Sequence, residues 1–304
     1  MKPEILRSTG TGQALPESVN YHLNRACNYR CAHCYAVFAE EKSNGPGLPS
    51  MDERLRLVEL IAAELLPSGA SRRKLSFAGG EPTLLPGLHS LVRHAHAKAL
   101  ITMLISNGTR LDKEYLRAFD GTLNWLTLSI DSANDATNRA IGRATRDGKV
   151  ITAEGYQSIA NLCRDLNIRL KVNTVVNARN WTEDLRPLLR SIRPERWKIL
   201  QVMKVAGQND LGFPGAAVSL QEFGSFVDRH RELDLEGINI VPEEAELDIR
   251  GSYAMIDPQG RFFDSTRGLH FYSCPILKVG VQAAWNQIQF DRTRFEQRGG
   301  RYAF

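Results

Sequence analysis

The sequence lacks the features of membrane-bound and exported proteins. No apolar run approaches the roughly 20 residues that a membrane-spanning helix needs. The longest, residues 99–105, is typical of a buried strand, and residues 1–16 contain no apolar centre of a signal peptide. We therefore expect a cytoplasmic protein without a membrane partner.

Blocks of like charge are also missing. No five consecutive residues carry the same charge, and the net charge of +5 comes from dispersed lysines and arginines. A nucleic-acid-binding arm would concentrate such charges, so we expect no nucleic-acid partner. The modest positive excess fits either a basic solvated surface or a site for a compact anion.

Cysteine is scarce, and three of the five cysteines, Cys27, Cys31 and Cys34, lie close together. A disulfide framework would use an even number of cysteines, so this pattern favours a reducing compartment. Three thiols at such close spacings can instead hold three irons of a cubane iron–sulfur cluster. Since no fourth cysteine lies nearby, the fourth iron would be open to a ligand from outside the protein.

Two other arrangements of these cysteines stay open from the spacing alone. A structural zinc site would need a fourth ligand in tetrahedral geometry, and His33 lies inside the triplet, where it is poorly placed to join all three thiols. A disulfide would leave one odd thiol. The spacing favours the open cluster over both.

Apolar runs alternate with segments of helical period over the first 200 residues or so, which is the pattern of a parallel sheet with crossover helices. The predicted strands are residues 19–23, 74–78, 101–106, 125–130, 168–175 and 197–202. The predicted helices are one that begins near Ser50, then residues 88–97, 113–119, 155–166 and 182–192. Six strand–helix units predict an α/β fold, an open, partial (β/α)6 barrel.

The part of the chain after the sixth predicted strand contains a long loop and short elements. Residues 204–218 are typical of a lid or binding loop, and Ser219 begins a helix that runs through His230. A strand pair is predicted at residues 252–256 and 261–264, and a final helix at residues 279–288. We divide the chain into an N-terminal segment (1–16), a barrel (17–203) and a C-terminal extension (204–304).

Four cations occupy unexpected positions in the second, fifth and sixth predicted strands. Apolar and polar residues alternate there, and the polar set includes Lys74, Lys171, Arg196 and Lys198. If the apolar side chains face the helices, these cations point into the barrel. Unpaired buried charges are costly, so an open interior that holds a polyanion such as a triphosphate would explain them. The alternative is that some lie at frayed strand starts and extend to solvent.

Two motifs resemble the signature of radical S-adenosylmethionine enzymes. They are the C-x3-C-x2-C spacing after the first strand and Gly79-Gly80-Glu81-Pro82 after the second. Longer stretches are similar to the viperin family, from about residue 17 to 303: VNYH (19–22), CNYRC (27–31), KVNTVVN (171–177), RWKILQ (196–201), GSYAMID (251–257) and RGGRY (298–302). The resemblance implies a radical-SAM barrel with a [4Fe–4S] cluster whose open iron binds S-adenosylmethionine.

The resemblance also implies roles for individual residues. The cluster ligands would be Cys27, Cys31 and Cys34. The residues binding S-adenosylmethionine would be Tyr35, Gly79, Gly80, Glu81, Asn107, Ser129 and Arg143. The residues binding the substrate would be Asn20, Lys74, Lys171, Asn173, Arg196 and Lys198. Tyr253 would lie near the ribose and deliver a proton or hydrogen atom, and the C-terminal extension would help to close the substrate site.

Viperins dehydrate a ribonucleoside triphosphate to its 3′-deoxy-3′,4′-didehydro form, a chain terminator with antiviral effect. The resemblance therefore implies such a dehydratase, with CTP, UTP and GTP all open as substrates and an electron donor of flavodoxin or ferredoxin type. Two departures are visible. The amphipathic membrane helix that begins animal viperins is missing, and the chain stops at Phe304 instead of continuing to a tryptophan-ended tail.

Two further hypotheses come from other classes of protein. A peptide-modifying radical enzyme with auxiliary clusters would need more cysteines near the C-terminus, where Cys274 stands alone. A non-catalytic interaction protein would use the three cysteines as a zinc knuckle.

Overall fold

The structure, a computed structural model, describes residues 13–36, 47–65 and 73–302. Most of the predicted N-terminal segment and the chain end at Phe304 lie outside these ranges. The strands of the described residues are β1 (Ser18–His22), β2 (Lys74–Ala78), β3 (Ile101–Ser106), β4 (Trp125–Ser129), β5 (Arg169–Val176), β6 (Arg196–Gln201), β7 (Asn239–Glu243), β8 (Ala254–Ile256), β9 (Arg261–Asp264) and β10 (Phe271–Pro275). All six strands predicted for the barrel are confirmed.

These strands form one sheet in the order β10-β9-β8-β1-β2-β3-β4-β5-β6-β7. Strands β1 to β7 run parallel to their neighbours, and β8 pairs in parallel with β1. Strands β9 and β10 complete an antiparallel edge. The α/β prediction of an open, partial barrel is confirmed, as is the predicted strand pair, now β8 and β9; the structure adds β7 beside β6 and β10 beside β9.

The helices of the described residues lie between the strands and after them. They are α1 (Met51–Leu65), α2 (Leu88–Ala97), α3 (Lys113–Arg117), α4 (Asp135–Ala140), α5 (Ala153–Asp165), α6 (Arg186–Ile192), α7 (Leu220–His230), α8 (Glu232–Leu235), α9 (Ile276–Val279), α10 (Val281–Trp285) and α11 (Arg292–Gln297). Ser50 and Glu53 exchange hydrogen bonds at the start of α1, as a capping box does. None of the described helices is long and apolar enough to cross a membrane.

The apolar faces of the helices and of the strands share one hydrophobic core. Leu57 and Ile61 of α1 and Leu75 and Phe77 of β2 are all fully buried in it. Burying a side chain of this size contributes about 1.5–3 kcal/mol, so the alternating pattern fixes which face of each strand meets the helices. Cys163 of α5 lies in the same core, which confirms that it is a packing residue.

The polar face of the same strands is directed to the inside of the barrel. Lys74, Lys171, Arg196 and Lys198 are each at most 5% exposed. Their predicted inward direction is confirmed, and the solvent-exposed alternative is wrong. Successive side chains of a strand point to opposite faces of the sheet, so the position of each cation in its strand directs it into the barrel. There it is too deeply buried to reach bulk water.

The prediction of one final helix is wrong. Gly280 has a φ of 84° and separates α9 from α10. A residue in this left-handed region ends a helix, so the apolar residues that suggested one long helix belong to two short ones.

A short segment crosses the opening of the barrel. Residues 244–253 run from the end of β7, which pairs with β6, to the start of β8, which pairs with β1 on the other side. They include one turn of π-helix, Ala245–Ile249. The hydroxyl of Tyr253 then donates a hydrogen bond back to Glu243, so the end of β7 and the start of β8 are joined across the opening.

Candidate active site

A cavity of about 870 Å³ lies at the carboxyl ends of the parallel strands. This is where α/β barrels and open sheets place their sites. The sequence-predicted residues that line it are Asn20, Cys27, Cys31, Cys34, Tyr35, Gly79, Gly80, Asn107, Ser129, Arg143, Asn173 and Tyr253. Glu81 and the four cations are not among the described residues that line it. The tertiary structure therefore brings together residues spread over more than 230 positions of the chain.

The three clustered cysteines lie on one loop that is held from both sides. The backbone N–H groups of Arg30 and Ala32 donate to the carbonyls of Gly142 (3.0 Å) and Ile141 (3.1 Å). On the other side, the N–H groups of Gly80 and Glu81 donate to carbonyls of the cysteine loop at 2.9 and 2.7 Å. These bonds fix the loop at the cavity before any ligand binds.

Two glycines make this close packing possible. A Cβ on Gly80 would lie 2.2 Å from the carbonyl oxygen of Ala26, and one on Gly142 would lie 2.0 Å from that of Arg30. Only glycine fits where two backbones approach so closely. The family resemblance assigned Gly79 and Gly80 to the binding of S-adenosylmethionine. In the structure, the close approach of Gly80 is to the cysteine loop itself.

Glu81, which was predicted to bind S-adenosylmethionine, is hydrogen-bonded to neighbouring residues in the structure. Its carboxylate accepts hydrogen bonds from the hydroxyls of Thr83 (2.6 Å) and Ser106 (2.8 Å) and from the N–H of Asn107 (2.8 Å). Burial raises the pKa of this carboxyl. The side chain thus joins the ends of β2 and β3, and the amide of Asn107 in turn donates to Asn28 of the cysteine loop at 2.8 Å.

A buried ion-pair network supports the other side of the cysteine loop. Arg143 donates to Asp131 Oδ2 at 3.1 Å, and His33 Nε2 lies 3.2 Å from the same oxygen. Burial would raise the pKa of Asp131, but the charge of Arg143 and the hydrogen bond with His33 lower it to about 2. Arg143 also donates to the carbonyl of Ser129 at 2.5 Å. Sequence reasoning missed the roles of His33 and Asp131, although Asp131 follows a strand end, which is a usual site position.

The three thiols are suited to bind a cluster whose iron ions would stabilise their deprotonated form. All three are free and partly exposed to the cavity. Burial raises the pKa of Cys27 and Cys31, and that of Cys34 to about 12. Thiolates in this setting need the positive charge of bound irons to form. No three His, Cys, Asp or Glu side chains of the described residues form a group that could hold a single metal ion.

The loop predicted after β6 covers the cysteine loop. Asn209, Leu211 and Gly212 line the cavity, and a Cβ on Gly212 would lie 1.9 Å from the carbonyl oxygen of Ala32. Tyr35, next to the third cysteine, has its hydroxyl 3.3 Å from the His22 ring. This part of the cavity is thus built from three separate segments of the chain.

The cations lie toward the amino ends of the strands. Asn173 lines the cavity, and Lys171 is two residues before it on the same face of β5. Beside Lys171 lies the ring of Tyr302, whose hydroxyl accepts a hydrogen bond from Lys74 at 2.6 Å. The guanidinium of Arg196 is 4.2 Å from the centre of that ring. Tyr302 belongs to the RGGRY stretch, but sequence reasoning gave it no role.

Lys198 belongs to a second group of polar side chains. It forms an ion pair with Glu243 and donates to the hydroxyl of Tyr253 at 2.9 Å. Arg298 lies over the Tyr253 ring, 3.8 Å from its centre. Neither Glu243 nor Arg298 was predicted, because β7 itself was not foreseen and the RGGRY stretch carried no assigned chemistry.

Comparison with known proteins identifies the family. The model of the radical SAM superfamily matches residues 21–192. A relative from Flammeovirga pacifica, named S-adenosylmethionine-dependent nucleotide dehydratase, is 36% identical over 96% of this chain and 97% of its own length. The chain belongs to this dehydratase family of the radical SAM superfamily.

A second relative and a solved structure agree with this family assignment. A dehydratase of the same name from Lacinutrix mariniflava is 38% identical over 94% of this chain, which spans 58% of that relative's length. The crystal structure of Streptococcus suis SuiB bound to S-adenosylmethionine covers 95% of this chain and 69% of its own, with a TM-score of 0.67 and 13% identity. At that identity the likeness shows the fold. This radical SAM enzyme uses a [4Fe–4S] cluster and S-adenosylmethionine, as its family does.

Proposed function

We propose that this enzyme dehydrates a ribonucleoside triphosphate to the 3′-deoxy-3′,4′-didehydro nucleotide, in antiviral defence. One observation carries the proposal: three free thiols line the cavity at the carboxyl ends of the strands, and four buried cations lie toward the amino ends of β2, β5 and β6. The names of the relatives support the same reaction. Cys27, Cys31 and Cys34 would hold the cluster in this arrangement.

The residues around the thiols would bind S-adenosylmethionine. Gly79, Gly80, Asn107, Ser129 and Arg143 line the cavity next to the cysteine loop, as does Tyr35. Glu81 would act indirectly, because its carboxylate already holds the ends of β2 and β3. When bound, the cluster and S-adenosylmethionine supply the radical chemistry that removes a hydrogen atom from the substrate.

The buried cations would bind the triphosphate. Burial and the neighbouring charges of Lys198, Arg196 and Arg298 lower the pKa of Lys74 well below its usual value. The pKa of Lys171 is lowered in the same way, by burial and then by Lys198 and Lys74. Mutual repulsion in a low-dielectric site is relieved when a polyanion binds, so these groups favour a phosphorylated ligand. Lys74, Lys171, Arg196 and Lys198 would thus hold the triphosphate.

The groups between thiols and cations would position the sugar. Asn20, Asn173 and Tyr253 line the part of the cavity that would take the ribose. Loss of the C4′ hydrogen and of the 3′-hydroxyl as water, with one proton and one electron, gives the didehydro sugar. Tyr253 would supply the proton or hydrogen atom, and an external donor of flavodoxin or ferredoxin type would supply electrons. The need for reduced thiols favours the cytoplasm as the place of action.

The test is anaerobic reconstitution followed by incubation with S-adenosylmethionine, dithionite and each of CTP, UTP and GTP. We expect about four irons per chain. Mass spectrometry should detect 5′-deoxyadenosine together with a nucleotide one water lighter than its substrate. A Cys31→Ser variant is the control, since it should lose both iron and products. Zinc in place of iron, or no lighter nucleotide from any of the three, would overturn the proposal.

A further inference from the structure

A carboxylate that no predicted role accounts for lies beside the proposed ribose position. Glu243, the last residue of β7, is completely buried. It accepts a hydrogen bond from the Tyr253 hydroxyl and forms an ion pair with Lys198. Arg298 Nη1 lies 3.3 Å from Glu243 Oε1, the carboxylate oxygen that Lys198 also contacts.

These contacts fix the Tyr253 hydroxyl from two sides. The oxygen accepts from the Lys198 ammonium at 2.9 Å, and its proton is directed to Glu243. The Arg298 guanidinium covers the ring face. A phenol held by one ammonium and one carboxylate has a single orientation of its O–H group, whereas a phenol in water has many.

Burying a carboxylate is expensive unless its charge is balanced and its lone pairs are used. Burial would raise the pKa of Glu243, but the charges of Lys198 and Arg298 lower it to about 2, so the group is ionised. Burial raises the pKa of Tyr253 well above its usual value, so the phenol keeps its proton. The ionised Glu243 carboxylate can therefore accept a hydrogen bond, and the protonated Tyr253 hydroxyl can donate it.

The hydrogen bond between Glu243 and Tyr253 also connects two distant parts of the sheet. Glu243 ends β7, which pairs with β6, and Tyr253 directly precedes β8, which pairs with β1, so their hydrogen bond spans the open side of the barrel. Tyr253 also lines the cavity. The position of its hydroxyl toward a substrate thus depends on a carboxylate from the other side of the opening.

We propose that Glu243 is a positioning residue for Tyr253: its carboxylate holds the Tyr253 hydroxyl, together with Lys198, in the orientation needed to complete the reaction. The inference rests on the proposed function, because it assigns Tyr253 to the step that follows hydrogen removal. A protein without Glu243 would still remove the hydrogen atom but would complete the dehydration poorly.

The test uses Glu243→Gln in the reconstituted full-length enzyme. Glutamine has the same shape and keeps one acceptor oxygen, but it loses the charge that aligns Lys198 and Tyr253. Loss of a hydrogen bond to a charged group corresponds to about a 10- to 150-fold effect. We expect the ratio of dehydrated nucleotide to 5′-deoxyadenosine to fall by that factor. Nucleotide affinity should stay the same or increase, because a negative charge leaves the cationic region.

A merely structural role for Glu243 predicts a different result. It would lower nucleotide affinity, product and 5′-deoxyadenosine together and leave their ratio unchanged. Tyr253→Phe gives an independent check: Glu243→Gln should lower the ratio no further in the Tyr253→Phe background, since coupled residues are not additive. Glu244→Gln, at the neighbouring position, is the matched control and should leave the ratio at the wild-type value.

The outcomes separate this inference from the proposed function. If the wild-type enzyme forms no dehydrated nucleotide, the proposed function fails first. If the wild type is active and Glu243→Gln keeps the wild-type ratio, the inference is wrong while the function stands. Additive losses in the double variant would also overturn it.

Discussion

Replacing Lys171 with methionine tests the cationic end of the cavity. The side chain is 5% exposed and lies near Lys74, Lys198 and Arg196. Methionine fills a similar volume without a charge, so the variant removes one phosphate contact with little change in packing. In the nucleotide-bound enzyme, a charge-assisted hydrogen bond contributes about 1.5–3 kcal/mol, which is about a 10- to 150-fold loss of affinity.

The unliganded protein should respond in the opposite direction. Burial and two neighbouring lysines lower the pKa of Lys171 well below its usual value, so its charge is destabilising there without an anion. We therefore expect the melting temperature of the free Lys171→Met protein to equal or exceed that of the wild type. The increase in melting temperature on adding nucleoside triphosphate should be mostly lost, because ligand stabilisation follows affinity.

The assay is calorimetric titration of nucleoside triphosphate without reductant, so that no turnover occurs. Iron content and slow cleavage of S-adenosylmethionine without nucleotide should stay near wild type, because the cysteine loop is unchanged. Lys278→Met, at an exposed position of α9 away from the cavity lining, is the matched control. Wild-type affinity in Lys171→Met would refute the assignment of this cation to the triphosphate.

Two further predictions concern the support of the site and the response to pH. Gly142→Ala should reduce the iron bound on reconstitution, because its Cβ would lie 2.0 Å from the Arg30 carbonyl; Gly148→Ala has a similar φ but open space around it and should bind normal iron. Equal iron in both would contradict the close-packing argument. Burial lowers the pKa of His230, whose Nε2 accepts a hydrogen bond from the N–H of Leu185. The unfolded chain therefore binds a proton at His230 that the folded protein does not bind. The free energy of unfolding should fall as the pH falls below about 6.5. Urea unfolding at pH 7.5 and 5.5 should show a smaller fall in His230→Asn than in the wild type or in exposed His96→Asn; identical falls would disprove this.

Much of the barrel was predictable because its information is local. The alternation in β2, β5 and β6 sets the direction of each side chain, so the inward cations follow from parity and from the core that the apolar face forms. The three cysteines share one short loop, so their spacing alone indicates a cluster. The split of the final helix was missed, since the apolar spacing across Gly280 is still helical and only its φ of 84° ends α9.

The partners of the site residues were not predictable. Glu81 lies at a strand end and was predicted to bind S-adenosylmethionine, and its oxygens accept hydrogen bonds from Ser106 and Asn107. Asp131, which was assigned no role, accepts one from Arg143. A position at a strand end predicts where a carboxylate lies, but it does not predict which hydrogen-bond donors from other strands reach it.

By itself the sequence determined which faces of the strands are apolar, where the thiols lie and that several cations enter the barrel, because each depends on residues within one element. Only the tertiary structure decided that β7 pairs with β6 and β8 with β1, on the two sides of the opening, and that Glu243 meets Tyr253 across it. Contacts between strands far apart in the sheet depend on how the sheet twists and closes, and no local spacing along the chain records that curvature.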